Sequence, residues 1–154
     1  KYLDAPNLDG EATEMAHRLA ALVIKQHNQN ESLARPFGFV AGGETTVTLE
    51  MSNPGKGGRS QELALAFAQE MRAAGSGAPK RWAILAAGTD GRDGPTDAAG
   101  GVITSEQCFD QAAASAALLG HASYDYLRAY DQLLITGATG TNLADLVLVI
   151  AQSS

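Results

Sequence analysis

The stretch RWAILAAGTDGRDGPTD, Arg81 to Asp97, decides how the rest of the chain is read. Its first part, Arg81 to Ala87, is a short continuous apolar run, the pattern of a buried strand rather than of an amphipathic one. Its second part, Gly88 to Asp97, holds three aspartates, three glycines, two threonines, a proline and an arginine. No apolar side chain anchors that segment to a core. A hydrophobic strand that opens into a flexible, charged loop is the arrangement of an α/β domain that carries ligands at strand ends.

Two other segments repeat the pattern. Phe37 to Ala41 is strand-like and runs into Gly42-Gly43-Glu44-Thr45, and Gln132 to Thr136 runs into Gly137 to Asn142. Helices are predicted over Leu8–Gln29, from apolar residues at three- and four-residue spacing, and over Arg59–Ala74, after the polar loop Ser52 to Gly58. Two more are predicted over Ser105–Leu119, capped by Ser105, and over Ser123–Ala129. The remaining strand candidates are Thr45–Met51, Val102-Ile103 and Leu143–Ala151. Strands interleaved with helices give an α/β fold: one domain with a mixed β-sheet flanked by helices. If the strands run roughly parallel, its three glycine-rich loops gather at one sheet edge.

The chain has 154 residues, a formal net charge of −6 and a pI near 4.9. That size suits a single domain with a real core. The charge argues against nucleic acid or an anionic membrane as partner, because no basic stripe is present to release counterions. No apolar run is long enough to span a membrane, and no signal peptide is expected. The lone Cys108 fits a reducing, cytoplasmic setting, and its apolar neighbour Phe109 suggests a small buried side chain. The chain starts Lys1-Tyr2-Leu3 and reads as a piece of something longer.

Glycine in all three loops lets backbone N–H groups come close to a ligand. The Gly57-Gly58-Arg59 junction adds a cation at a helix N-terminus, where the dipole is already positive. That combination is favourable when an anion is shared between them. Asp90, Asp93 and Asp97 suit Mg²⁺ binding, a general base or Asx turns; their spacing is not that of an EF-hand. Asp97, beside Ala98-Ala99-Gly100-Gly101, reads as the structural one. His17, His27 and His121 have no metal-ligand spacing and read as surface or boundary residues. Walker A, dinucleotide-fingerprint and nucleophile-elbow motifs are all absent.

Four runs, Ala41-Gly-Gly-Glu-Thr-Thr-Val47, Gly57-Gly-Arg-Ser-Gln-Glu-Leu-Ala-Leu65, Ala86 to Asp97 and Thr136-Gly-Ala-Thr-Gly-Thr-Asn142, together resemble the C-terminal MOFRL domain of type II glycerate 2-kinases. That family is also labelled hydroxypyruvate reductase. The resemblance covers nearly the whole chain. It implies residues 1–154 as the C-terminal domain, with 1–35 as an entering helix region and 36–154 as an α/β core, and with an N-terminal domain of the same polypeptide absent. It implies transfer of the γ-phosphoryl of ATP to the 2-hydroxyl of D-glycerate with Mg²⁺, in a cleft between the two domains. A catalytic lysine is expected on the missing one, so the isolated domain is expected to be inactive.

Carried onto this chain, the resemblance gives catalytic roles to Asp90, Asp93 and Arg59, with Asp90 and Asp93 also as Mg²⁺ ligands. Substrate or phosphate contacts fall to Gly43, Glu44, Thr45, Gly57, Gly58, Thr89, Thr139, Thr141 and Asn142. The chain departs from the family pattern at Ser60 and Ala144, where Asn is usual, at Ala138, where Pro is usual, and at His121-Ala122, where Asn-Asp is usual. An NAD(P)H-dependent hydroxypyruvate reductase and a non-catalytic ligand-binding module are the alternative readings. A homodimer is left open.

Overall fold

The computed structural model describes residues 1–29, 35–50 and 52–152. In chain order its elements are α1 (Ala12–Gln29), β1 (Pro36–Gly43), α2 (Arg59–Ala73), β2 (Arg81–Gly88), β3 (Gly100–Thr104), α3 (Gln111–Leu119), α4 (Ser123–Ala129), β4 (Leu133–Leu134) and β5 (Asp145–Gln152). A single 3₁₀ turn, Gly75–Gly77, follows α2.

The strands form one sheet in the order β1-β5-β2-β3-β4. Every ladder between them is antiparallel. The parallel pairings are isolated bridges of the N-terminal segment, Tyr2 to Gly38, Leu8 to Gly43 and Glu11 to Thr46. The expected mixed sheet is therefore an antiparallel sheet with a parallel fringe. The three loops nevertheless leave at one edge. β5 lies antiparallel between β1 and β2, and β3 lies antiparallel between β2 and β4, so β1, β2 and β4 all point the same way. In the outermost row, Gly43 and Gly88 both face Asp145.

Alternation along the strands separates a covered face from an open one. Phe39, Ile84, Ile103, Val147 and Val149 face the helices and join Met15, Leu19, Leu63, Phe67, Met71 and Leu127 in one core. Phe67 stacks edge-on to Trp82 with ring centroids 5.9 Å apart. Burying an aromatic or branched side chain of this kind contributes about 1.5–3 kcal/mol each. Val40, Leu146 and Ile150 remain exposed.

Several local expectations change. α1 starts at Ala12, because Leu8 is drawn to the sheet: its N–H bonds the Gly42 carbonyl at 3.0 Å, and its own carbonyl accepts from Glu44 N–H at 3.0 Å. Residues 45–50 form no strand. Beyond the single backbone bridge at Thr46, the Thr46 and Thr48 hydroxyls donate to Oε1 of Glu11, at 2.9 and 2.8 Å, and tie this segment to the N-terminal run. Met51 lies outside the described residues.

The third helix begins at Gln111, capped by Asp110, whose carboxylate accepts from Ala113 N–H at 2.9 Å. Ser105 is held elsewhere, by the Trp82 N–H. The turn and irregular residues between them leave Cys108 exposed rather than buried, while its carbonyl accepts from Gln132 Nε2 at 3.2 Å. Among the described residues, no helix is long and apolar enough to cross a membrane.

Candidate functional site

Arg59 opens α2 and reaches the outermost row of the sheet. Its Nε and Nη2 donate to the two oxygens of Asp145 at 2.6 and 3.0 Å, a bidentate pair, and Nη2 also meets Glu44 Oε1 at 3.0 Å. Asp145 is buried and heads β5. The hydrogen bond to Asp145 raises the guanidinium's pKa further and keeps it charged.

The helix N-terminus is satisfied independently. Asp93 Oδ1 accepts from Ser60 N–H at 3.1 Å and Oδ2 from Gln61 N–H at 2.8 Å. Gly58 permits this approach, since a Cβ there would lie 2.4 Å from Asp93 Cγ. The protein thus supplies its own anions: Asp93 for the helix amides and Asp145 for the adjacent cation. Burial pushes the Asp93 carboxyl above its ordinary pKa, and the two backbone N–H groups oppose that shift.

The three aspartates of the loop after β2 therefore hold different positions from those read in the sequence. Asp93 takes the structural place, buried at a helix cap. Asp97, expected to hold the loop, is exposed and accepts from the Tyr124 hydroxyl at 2.7 Å, which lowers its pKa. Asp90 makes an Asx turn, its Oδ1 accepting from Arg92 N–H at 2.9 Å.

Thr89 latches two loops together. Its hydroxyl donates to the Ala144 carbonyl and accepts from Leu143 N–H, both at 2.7 Å. Thr139 extends the latch: its hydroxyl donates to the Thr89 carbonyl, and its N–H bonds the Asp90 carbonyl at 3.2 Å. Thr141 N–H and Asn142 Oδ1 make only long local contacts, 3.4 Å each, to Thr139 Oγ1 and Ala144 N–H. Gly91 sits where a Cβ would be 1.9 Å from the Gly137 carbonyl oxygen, at φ +87°, so only glycine fits between the loops.

Ala144, at the end of this latch, has φ +72°. The left-handed region costs a side chain with a Cβ about 1–2 kcal/mol, and Asn tolerates it best after glycine. Ala144→Asn is therefore expected to raise the thermal midpoint by about 2–4 °C, read by calorimetry. An unchanged or lowered midpoint would count against strain at this residue.

Two cavities flank the Gly94-Pro95 segment. One, about 440 Å³, is lined by Glu44, Thr45, Gly57, Gly58, Arg59, Glu62 and His121 among others, with Val47, Leu49 and Pro54 as its apolar wall. The second, about 460 Å³, lies against Gly91, Arg92, Thr96, Asp97, Gly137 and Ala138. The sequence-predicted residues divide accordingly. Glu44, Thr45, Gly57, Gly58 and Arg59 meet at the first cavity, whereas Thr89, Thr139, Thr141 and Asn142 belong to the latch. Gly43 packs on Leu8 at φ +143°, and Asp90 lines neither cavity.

Three residues were missed: Asp145, Glu62 and His121. A carboxylate at the head of an apolar strand was the available signal for Asp145. Glu62, three residues after Arg59, shares its helix face, and that spacing was legible. His121 is a boundary residue, its side chain 20% exposed, and its Nδ1 lies 3.1 Å from Glu62 Oε2. Burial raises the Glu62 pKa, and His121 opposes that rise. Among the described residues, no group of three or more His, Cys, Asp or Glu side chains is arranged to hold a metal.

The fold and the site together define an α/β domain whose polar sheet edge carries a part-buried arginine–carboxylate pair beside a pocket. The chain belongs to the MOFRL family, which it matches over residues 37–145. It is 35% identical over 159 residues to the glycerate 2-kinase of Pyrococcus horikoshii, covering 99% of this chain and 34% of that protein. An Agrobacterium vitis protein carrying a hydroxypyruvate reductase name is 35% identical over 147 residues, covering 93% of this chain and 32% of its own. The crystal structure of Thermotoga maritima glycerate kinase superposes with a TM-score of 0.76 at 34% identity, covering 98% of this chain and 36% of that one. The chain spans about a third of the length of the curated relatives it matches.

Proposed function

We propose that this domain supplies the glycerate-binding wall of an ATP-dependent glycerate 2-kinase, a longer polypeptide whose other domain completes the site. The observation that carries the proposal is the pocket around Arg59. Asp145 fixes the guanidinium bidentately, Nη1 has no partner among the described residues, and the pocket beside it fits a small hydroxy acid. A fixed guanidinium is suited to a carboxylate or phosphate, and phosphoryl transfer depends on positioning and charge more than on covalent chemistry. The relatives named for glycerate kinase activity support the same substrate.

Mg²⁺ narrows to one residue. Of the two residues read as its ligands, Asp93 spends both oxygens on backbone amides and does not fit, which leaves Asp90, with one oxygen outside its Asx turn, as the one that would hold the ion. Bound Mg²⁺ would neutralise phosphate charge there. The remainder of this domain's part is orientation: Arg59 holds the substrate anion, and the Thr89 latch keeps the two glycine loops in register.

The test is a pair of coupled assays on the polypeptide that carries this domain at the length of its relatives. ATP with D-glycerate is expected to yield ADP, and NADH with hydroxypyruvate to leave the absorbance unchanged; the reverse outcome would establish the reductase reading. Residues 1–154 alone are expected to show no turnover in either assay.

A further inference from the structure

We propose that Glu62 is the general base of the transfer, taking the proton of the substrate's 2-hydroxyl, with His121 as its positioning residue. The inference rests on the kinase reading above and concerns the same pocket.

Arg59 and Glu62 stand one helical turn apart on α2, and both line the 440 Å³ cavity. A hydroxy acid held by its carboxylate on Arg59 therefore presents its hydroxyl along the face that carries Glu62. Glu62 is only 5% exposed. Its Oε2 is held by His121 Nδ1 at 3.1 Å, while Oε1 has no partner among the described residues. Oε1 is also not sealed from solvent, unlike Ser60 Oγ, Gln61 Oε1 and Ser123 Oγ. It therefore opens on the cavity that Glu62 lines.

The other carboxylates near the edge are committed. Asp93 caps α2, Asp145 holds Arg59 with both oxygens, Asp97 holds Tyr124, and Asp90 lines neither cavity. Glu44 lines the pocket but is largely exposed and paired with Arg59. A desolvated carboxylate is the better base, because burial raises its proton affinity toward working pH. The charged groups facing Glu62 are His121 after α3, Arg59 on α2, Glu44 after β1, Asp93 after β2 and Glu11 before α1.

The step balances without further reagents. The 2-hydroxyl proton moves to Glu62 Oε1, and the freed oxygen pair bonds the γ-phosphorus. The bond from that phosphorus to the β,γ-bridging oxygen breaks, and its electron pair leaves with ADP. Glu62 then returns the proton to solvent through His121, whose side chain is 20% exposed.

The experiment measures kcat, KM and pH–rate profiles on the relative-length polypeptide with ATP and D-glycerate. Glu62→Gln is expected to lower kcat at least about 100-fold while ATP binding stays at parental affinity. The acid limb should vanish with it, since in the parent that limb reports Glu62 picking up a proton and losing its capacity as a base. His121→Asn removes a group that lowers the Glu62 pKa, so the acid limb should move to higher pH.

A Glu62→Gln enzyme within about threefold of parental kcat, with its acid limb intact, would overturn the proposal while leaving the kinase reading standing. If Glu62→Gln does not fold, Glu62→Asp decides instead. Its charge is kept but its oxygen withdrawn, so kcat should fall with the limb retained, and parental kcat would overturn the proposal. A parent with no glycerate-dependent ADP release defeats the kinase reading and the base together.

Discussion

Arg59→Ala is expected to lower glycerate turnover of the full-length protein at least about 100-fold, the scale of removing a single preorganised charge donor. It is expected to cost stability as well. Truncation leaves Asp145 buried and unpaired beneath the sheet edge. Breaking a fully buried pair costs about 3–5 kcal/mol; with the Arg59 side chain 36% exposed, water compensates in part, and about 2 kcal/mol is expected. Urea melts of Arg59→Ala, Asp145→Asn and the double variant separate the two effects. The double variant should be more stable than Arg59→Ala, because it removes the stranded charge, yet remain inactive. Arg59→Lys should also lose most activity, since an ammonium cannot make the bidentate contact. An Arg59→Ala protein as stable as the parent would show that the pair contributes nothing to the fold.

Asp93→Ala is expected to destabilise the domain by about 3 kcal/mol, because two amides at the start of α2 lose their acceptor in a buried place. Asp93→Asn keeps one acceptor and should lose about half of that. The sign with pH follows from burial. The folded pKa of Asp93 is raised above 3.8, so its contribution is greatest below that value and declines as pH rises through the raised one. The penalty of Asp93→Asn should accordingly be larger at acid pH than at neutrality, by melts across that range. Folded Asp93→Asn should keep near-parental turnover. A well-folded but inactive Asp93→Asn would return Asp93 to the chemistry.

The strand at 81–88 and the helix at 59–73 were legible because each carries its own punctuation: an apolar run that stops at Gly88, and a helix bounded by Gly58 and Gly75. Which strands pair was not legible. Gly43 and Gly88 meet at Asp145 only through β5, and nothing local in Leu143–Ala151 announces a central position between β1 and β2. Residues 45–50 have strand composition, yet they bridge the N-terminal run only at Thr46 and are otherwise held by the Glu11 side chain, which propensity does not record. In the site, glycine loops after apolar strands were a fair signal for the shared edge. The division of labour among Asp90, Asp93 and Asp97 was not readable, because it depends on which loop is delivered to the α2 N-terminus. Glu62 escaped notice because one glutamate in a helix looks like an ordinary solvated residue until its neighbours are known.

The central position of β5 also bears on how the molecule is made. Pro36 pairs with Gln152, about three quarters of the chain away, so this contact is among the most non-local in the fold. Loop-closure entropy makes such a contact late and slow compared with local helices. Asp145 sits on that strand, so Arg59 gains its bidentate partner only once β5 has closed the sheet. During synthesis from the N-terminus, α1, β1 and α2 emerge long before the residue that aligns the guanidinium. The pocket is thus among the last features of the domain to form, and a chain halted before β5 has no aligned Arg59, however much of its helical layer is in place.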